Sequence, residues 1–113
     1  MISLICPTRK RPHYMERMWK SALELANTPI ECVWFIDDDD NESVEKSKEL
    51  GTKHFVAPRG SIVLSEGTNK CYELTQKDII MCAGDDLIFR TQNWSSYVEN
   101  AFNKFSDKIL LCG

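Results

Sequence analysis

Short apolar runs alternate with segments of helical periodicity along the whole chain, and this alternation strongly limits the folds open to it. Ile2 to Cys6 forms the first apolar run, and apolar residues then recur every three or four positions from Pro12 to Asn27. The later predicted elements are strands at 31–36, 54–57, 78–83 and 109–112, and helices at 41–50, 66–76 and from 91 or 93 to 105. Strands that alternate with helices favour right-handed crossovers and a mainly parallel sheet covered on both faces. The sequence therefore predicts an α/β fold, a three-layer sandwich.

Local signals refine two of these helices. Asn41 suits the capping position of the second helix, and Gly51 suits the position just after its end. In the last helix, helical spacing predicts that Trp94 and Tyr97 join the core rather than form a stacking platform for a ligand.

Length and composition indicate one globular domain. The 113 residues are 42% hydrophobic and 27% charged, which is enough for a core. A net charge of -3 argues against nucleic acid as a partner. The five cysteines form no C-x-x-C pair, which favours reduced thiols in the cytoplasm over disulfides or structural zinc. We expect a cytoplasmic protein, because no signal peptide is visible and no apolar run reaches the length of a membrane span.

Polar and charged residues directly follow three of the predicted strands. Pro7 to Arg11 leaves the first strand, Asp37 to Asp40 leaves the second, and Gly84 to Asp86 leaves the fourth. Ligands of open α/β sheets bind beyond the carboxyl ends of the strands, where the strand order reverses. A strand order of 3-2-1-4 would bring these three loops to one edge. We therefore expect a ligand site at that edge.

The adjacent carboxylates of Asp85 and Asp86 are the strongest candidates for ligand chemistry. Hard cations such as Mg²⁺ and Mn²⁺ take one or two protein carboxylates, while phosphate oxygens and water complete the shell. Adjacent residues at a strand end point in different directions, so one carboxylate would hold a metal and the other a ribose hydroxyl. Gly-Asp-Asp is also a favourable sequence for a solvated turn, and spacing alone does not decide between the two interpretations.

The other two loops offer complementary groups. Asp37 or Asp38 would accept hydrogen bonds from a base or ribose, whereas at least two of the four aspartates only solvate the loop or favour a helix N-terminus. The basic cluster from Pro7 to Pro12 offers cations and backbone donors to a pyrophosphate, although a solubilising loop explains half of its side chains. Thr8 and Arg9 are closest to the end of the strand.

A fourth motif, Gly67-Thr68-Asn69-Lys70, opens the helix before the fourth strand. Its amides and Lys70 suit contact with phosphate or base, but an ordinary helix start is the favoured interpretation. His13 and His54 are expected to serve in a helix start and a strand rather than in catalysis. No arrangement of a nucleophile with a base stands out.

These motifs together resemble the nucleotide-binding half of GT-A glycosyltransferases, especially the family 2-like group. That group begins with a short apolar strand ending in a Pro-Thr turn, as at Ile2–Arg9, and its second strand ends in paired aspartates, as at Trp34–Asp38. A Gly- and Asn-containing helix start precedes its fourth strand, similar to Gly67–Lys70, and an acidic metal motif ends that strand, as at Ala83–Phe89. The resemblance covers essentially the whole chain.

The resemblance implies a role for each matching residue. The nucleotide or sugar would be bound by Pro7, Thr8, Arg9, Arg11, Asp37, Asp38, Asn69, Lys70 and Asp85, and the metal by Asp86. The implied reaction transfers a sugar from a UDP- or GDP-linked donor to an acceptor hydroxyl. Mn²⁺ or Mg²⁺ and the basic groups would stabilise the departing diphosphate.

The chain also departs from the family pattern. Family members are usually longer, and their second half supplies the acceptor site and the carboxylate base of the inverting mechanism. We therefore expect a single donor-binding domain, 1–113, that is a truncated product, a minimal enzyme completed by homo-oligomerisation, or a non-catalytic binding module. A receiver-type phosphoacceptor domain shares the length and the alternation, but it requires an acidic pair where this chain has Pro7-Thr8-Arg9.

Overall fold

Strands and helices alternate in the computed structural model, which describes residues 1–60, 64–76 and 78–103. The strands in this part of the chain are β1 (Ile2–Thr8), β2 (Ile30–Asp37), β3 (Lys53–Ala57) and β4 (Ile79–Cys82). The helices are α1 (Pro12–Leu25), α2 (Asn41–Glu49), α3 (Leu64–Glu73) and α4 (Trp94–Asn103).

The sheet has the order β3-β2-β1-β4, and all of its neighbouring strands are parallel. Ile2 of β1 is aligned with Ile30 of β2 and with Ile79 of β4. The predicted α/β fold is therefore confirmed, and the sheet has the strand order under which the three loops were expected to meet. The receiver-type alternative is excluded, because that doubly wound sheet places its third strand beside the first, whereas β3 here pairs with β2.

Alternate residues of the central strands face opposite layers, as strand geometry requires. On one face, Leu4 and Trp34 join buried residues of α1 and α4 in the larger core. On the other face, Ile5 and Val33 pack against Cys71 of α3. Helices therefore cover both faces, and the architecture is a three-layer sandwich.

Several element ends differ from the predictions by one to three residues, and two differences bear on the site. β1 continues through Pro7 to Thr8, which is aligned with Ile36 of β2, so the first loop begins two residues later than expected. The prediction that Asn41 caps α2 is wrong. Asp40 is the cap, since its side chain accepts a hydrogen bond from the Ser43 amide at 3.3 Å, and Asn41 is the first helical residue.

The core-facing side of α4 was only partly predicted. Trp94 is buried and donates its Nε1–H to the Ala22 carbonyl at 2.9 Å, which confirms its place in the core. The prediction for Tyr97 is wrong, because this side chain is 65% exposed. Val98, four residues after Trp94, packs against the core instead. The predicted strand at 109–112 lies outside the described residues.

The start of α3 lies unusually close to the sheet. A Cβ atom on Gly67 would overlap the ring of Phe35 in β2. Only glycine fits this approach, which brings the start of α3 against Phe35, two residues before the carboxyl end of β2.

The four described cysteines are free thiols, and three of them, Cys6, Cys32 and Cys71, are buried. Burial raises the pKa of the Cys71 thiol to about 11 and that of Cys32 well above its usual value, so both are protonated and unreactive at neutral pH. Among the described residues, no helix combines the length and the apolar character needed to cross a membrane.

Candidate functional site

Three polar loops lie at the carboxyl ends of the neighbouring strands β2, β1 and β4, and those after β1 and β2 are counted from the last residue of the strand. We call them together the strand-exit edge and define it as Thr8–Arg11, Asp37–Asp40 and Gly84–Asp86. Direct side-chain contacts join the first loop to each of the other two. The predicted convergence of the three loops is therefore present in the structure.

Arg9 bridges the first two loops. Its Nη1 donates to Asp37 Oδ2 at 2.8 Å and to Asp39 Oδ1 at 2.7 Å, and its Nη2 donates to Asp39 Oδ2 at 2.9 Å. This is the two-pronged geometry that guanidinium groups form with carboxylates. Asp37, expected to meet a base or ribose, and Arg9, expected to meet phosphate, therefore contact each other.

Asp85 connects the first loop to the third from a buried position. Only 3% of this residue is exposed. Its Oδ2 accepts a hydrogen bond from the Thr8 hydroxyl at 2.9 Å, and its Oδ1 accepts one from Arg11 Nη2 at 2.7 Å. The compensation that a buried carboxylate needs thus comes from within the protein.

Arg11 is held from a second side by an aromatic ring. Its guanidinium carbon lies 5.2 Å from the ring centroid of Tyr14, and Arg17 lies over the same ring at 4.7 Å. Half of the Arg11 side chain remains exposed (49%), so guanidinium donors that Asp85 does not use face solvent. Arg11 is therefore fixed in place and still able to bind an anion.

Asp40 lies almost completely inside the protein at the end of the second loop. It is 1% exposed, and it accepts hydrogen bonds from the Ser43 amide, from the Ser43 hydroxyl at 2.6 Å and from the backbone amide of Lys10 at 2.6 Å. Burial alone would raise the pKa of this carboxyl, but the hydrogen bonds from Ser43 and Lys10 outweigh burial and lower it. Asp40 is therefore an ionised group that joins the first loop to α2.

Asp86 differs from the neighbouring Asp85 in its exposure and in its contacts. It is exposed, and no hydrogen bond or ion pair to it is present in the described part of the chain. No three His, Cys, Asp or Glu residues among those described are placed to hold a metal ion together. One free carboxylate fits a cation that arrives with substrate phosphates, because such cations often use one or two protein carboxylates.

The remaining predicted residues are less tightly placed. Pro7 is an exposed residue of β1, and Asp38 is exposed and accepts a long hydrogen bond, 3.4 Å, from the Arg59 amide. Asn69 and Lys70 are exposed on α3. Their assignment to ligand binding stays a prediction.

Two residues of the site were not assigned to it by sequence reasoning. For Asp40, the predicted preference for a helix N-terminus is confirmed by its place as the cap of α2, but the hydrogen bond that it accepts from the Lys10 amide was not predicted. Tyr14 received no role. Its position three residues after Arg11 at a helix start would have shown that the two side chains can meet.

The contact between Arg9 and Asp39 predicts a low pKa that can be measured. The hydrogen bond from Arg9 lowers the pKa of Asp39 to about 2. A folded-state pKa below the unfolded value of about 3.9 means that the contact stabilises the fold above that pH and that this stabilisation disappears as the pH falls through about 2. In carboxyl NMR titrations we expect the Arg9→Gln variant to titrate Asp39 near its ordinary pKa.

Glu16 is the internal control for that titration, because a hydrogen bond from Lys20, not from Arg9, lowers its pKa. Its pKa should be the same in both proteins. An ordinary pKa for Asp39 in the unmodified chain would show that the contact with Arg9 does not form in solution.

Residues 3–109 match the family model described as Glycosyl transferase family 2. The chain belongs to glycosyl transferase family 2. This family membership confirms the resemblance drawn from the strand-exit motifs. A comparison with curated protein sequences finds no match.

Solved structures show the same fold as this family 2 chain. The crystal structure of S. aureus TarS 1-349 has a TM-score of 0.65 and 20% identity, covering 91% of this chain and 32% of that one. TarS 1-349 in complex with UDP-GlcNAc has a TM-score of 0.60 and 18% identity, covering 91% and 31%. This family 2 chain thus spans about a third of the length of these TarS structures.

A nucleotidyl transferase from Methanothermobacter thermautotroptrophicus (Mth528) is more distant from this family 2 chain. Its TM-score is 0.51 and its identity 17%, with coverage of 80% of this chain and 53% of that one. At such identities the likeness shows a shared fold alone.

Proposed function

We propose that this chain binds a nucleotide diphosphate sugar at the strand-exit edge and serves a metal-dependent glycosyltransferase that passes the sugar to an acceptor hydroxyl. One observation carries the proposal. In a family 2 chain, an anchored and half-exposed arginine, Arg11, and a free carboxylate, Asp86, both lie at the strand-exit edge. Opposite charges of this kind suit a diphosphate and its cation.

Arg11 is our candidate for the diphosphate. Its contacts with Asp85 and Tyr14 fix the guanidinium before any ligand binds, so little side-chain freedom is lost on binding. The donors left free suit phosphate oxygens. Asp85 is only 3% exposed and both of its oxygens already accept hydrogen bonds, so we assign to Asp85 the support of Arg11 rather than a contact with ribose or sugar.

The nucleoside would be bound by the second loop. Asp38 is exposed, and Asp37 uses one carboxylate oxygen on Arg9, so each has an oxygen available to accept hydrogen bonds from a base or ribose. Asn69 and Lys70 follow the close approach of Gly67 to β2 and supply further polar groups on the same side.

Asp86 is our candidate for the cation, Mn²⁺ or Mg²⁺. When bound, such a cation neutralises charge on the departing diphosphate. Arg11 contributes to the same end, because its fixed guanidinium offers positive charge that needs no rearrangement as the phosphate charge develops. The acceptor and the group that deprotonates it are not assigned to residues of this chain.

Isothermal titration of the intact chain tests the proposal. UDP is the first probe, since a structure of similar fold contains UDP-GlcNAc, and GDP, UDP-GlcNAc and a GDP-sugar follow, each with and without Mn²⁺ or Mg²⁺. We expect one nucleoside diphosphate to bind more tightly with the cation. Absence of binding under every condition would refute the proposal. Binding without transfer to any member of an acceptor panel would favour the non-catalytic module.

A further inference from the structure

Two buried carboxylates hold the first loop of the strand-exit edge, one from each side. Asp85, 3% exposed, binds Thr8 and Arg11 at the two ends of the loop. Asp40, 1% exposed, binds the backbone amide of Lys10 between them. The loop is therefore fixed at its middle by a residue that belongs to the second loop.

Lys10 has a backbone conformation that lysine rarely adopts. Its φ angle is +51°, in the left-handed region, where the Cβ atom of an L-residue is crowded. The Lys10 amide donates a short hydrogen bond, 2.6 Å, to Asp40 Oδ2, and this partly buried bond compensates the crowding. Asp40 is thus the contact that keeps the chain turned at this residue.

The turn at Lys10 separates its two arginine neighbours. Arg9 reaches Asp37 and Asp39 after β2, whereas Arg11 reaches Asp85 after β4. Without the turn, the two guanidinium groups would not be held at the ends of β2 and β4, on either side of β1. The backbone at Lys10 therefore decides where the positive charge of the edge is placed.

We infer that Asp40 is a positioning residue for the donor diphosphate, acting through the Lys10 amide to hold Arg9 and Arg11 at the strand-exit edge. The inference rests on the proposed function and adds to it a residue that is too deeply buried to contact the ligand. A loop that is ordered before binding spares the ligand the entropy cost of ordering it, so loss of the turn weakens binding.

Asp40→Asn separates this role from the capping of α2. Asparagine caps helices as well as aspartate does, so the oxygen facing the Ser43 amide can be kept. The amide nitrogen then faces the Lys10 N–H, and two donors cannot bond. Removing a negative charge near an anion site would by itself tighten anion binding, so weaker binding cannot be a charge effect.

Ser43→Ala is the matched control. It removes the other hydrogen bond to the same Asp40 oxygen, from the Ser43 hydroxyl, and leaves the bond from Lys10 in place. A purely structural role of Asp40 predicts parallel changes in the two variants.

The experiment measures UDP affinity with Mn²⁺ by titration, melting temperature, and hydrogen exchange at the Lys10 amide in the intact chain. For Asp40→Asn we expect about tenfold weaker binding and faster exchange at Lys10. Ser43→Ala should bind UDP as the unmodified chain does.

The outcomes test the proposed function and the positioning role of Asp40 separately. Failure of the unmodified chain to bind any nucleoside diphosphate refutes the proposed function, and exchange at Lys10 then still tests whether Asp40 holds the turn. Unchanged affinity in Asp40→Asn, or equal losses in Asp40→Asn and Ser43→Ala, refutes the positioning role. Slow exchange at Lys10 in Asp40→Asn refutes the hydrogen bond itself.

Discussion

Replacement of Asp86 by asparagine is expected to remove the cation-dependent part of UDP binding, a loss of about 100-fold in affinity when Mn²⁺ is present. Asparagine has nearly the same shape, but it lacks the charge that attracts a hard cation. Because Asp86 is exposed and without a hydrogen bond or ion pair among the described residues, the melting temperature should not change. Titration with UDP, with and without Mn²⁺, measures the effect.

Glu24→Gln is the matched control for Asp86→Asn, because it removes one negative charge from an exposed position on α1. It should leave both the affinity and its dependence on Mn²⁺ unchanged. Equal sensitivity to Mn²⁺ in Asp86→Asn and the unmodified chain would remove Asp86 from the metal site. A uniform loss with and without Mn²⁺ would instead indicate that Asp86 contacts the nucleotide directly.

Arg11→Met is expected to reduce the free energy of unfolding by about 2 kcal/mol and to weaken UDP binding as well. Methionine fills similar space, but it leaves the buried carboxylate of Asp85 with the Thr8 hydroxyl as its remaining donor. The loss should be below that of a fully buried ion pair, because half of the Arg11 side chain is exposed to solvent. Denaturant unfolding monitored by tryptophan fluorescence measures it.

A double-mutant cycle identifies the cause of that loss. Asp85→Asn keeps a hydrogen bond with Thr8 but removes the buried charge, so Arg11→Met should cost less in this background than in the unmodified chain. Nucleotide binding should not recover in the double variant, because the Arg11 guanidinium is still missing. Strictly additive unfolding energies would show that Arg11 and Asp85 do not stabilise each other.

The parallel sheet and the position of the site could be predicted from the sequence because both follow from local patterns. Short apolar runs defined the strands, apolar residues at period 3.6 defined the helices, and the carboxyl ends of parallel strands necessarily share an edge. Asp85, Asp37 and Arg9 were placed at that edge for this reason. Family membership later agreed with the motifs on these loops.

The partners of those side chains could not be predicted in the same way. Arg9 contacts carboxylates 28 and 30 residues away, and Thr8 contacts one 77 residues away. Such choices depend on distances set by the folded sheet. Asp40 shows the limit most clearly, because four adjacent aspartates look alike in sequence while only one of them is buried.

The sharing of Arg9 between Asp37 and Asp39 has a thermodynamic consequence under the proposed function. When a phosphate takes the donors that Arg9 gives to Asp37 and Asp39, it displaces carboxylate oxygens, and each displaced carboxylate is then free to attract a divalent cation. The affinity for the anion and the affinity for the cation are therefore linked, and each must strengthen the other by the same factor. Such an edge would select ions that arrive as a neutralised pair and discriminate against a bare anion.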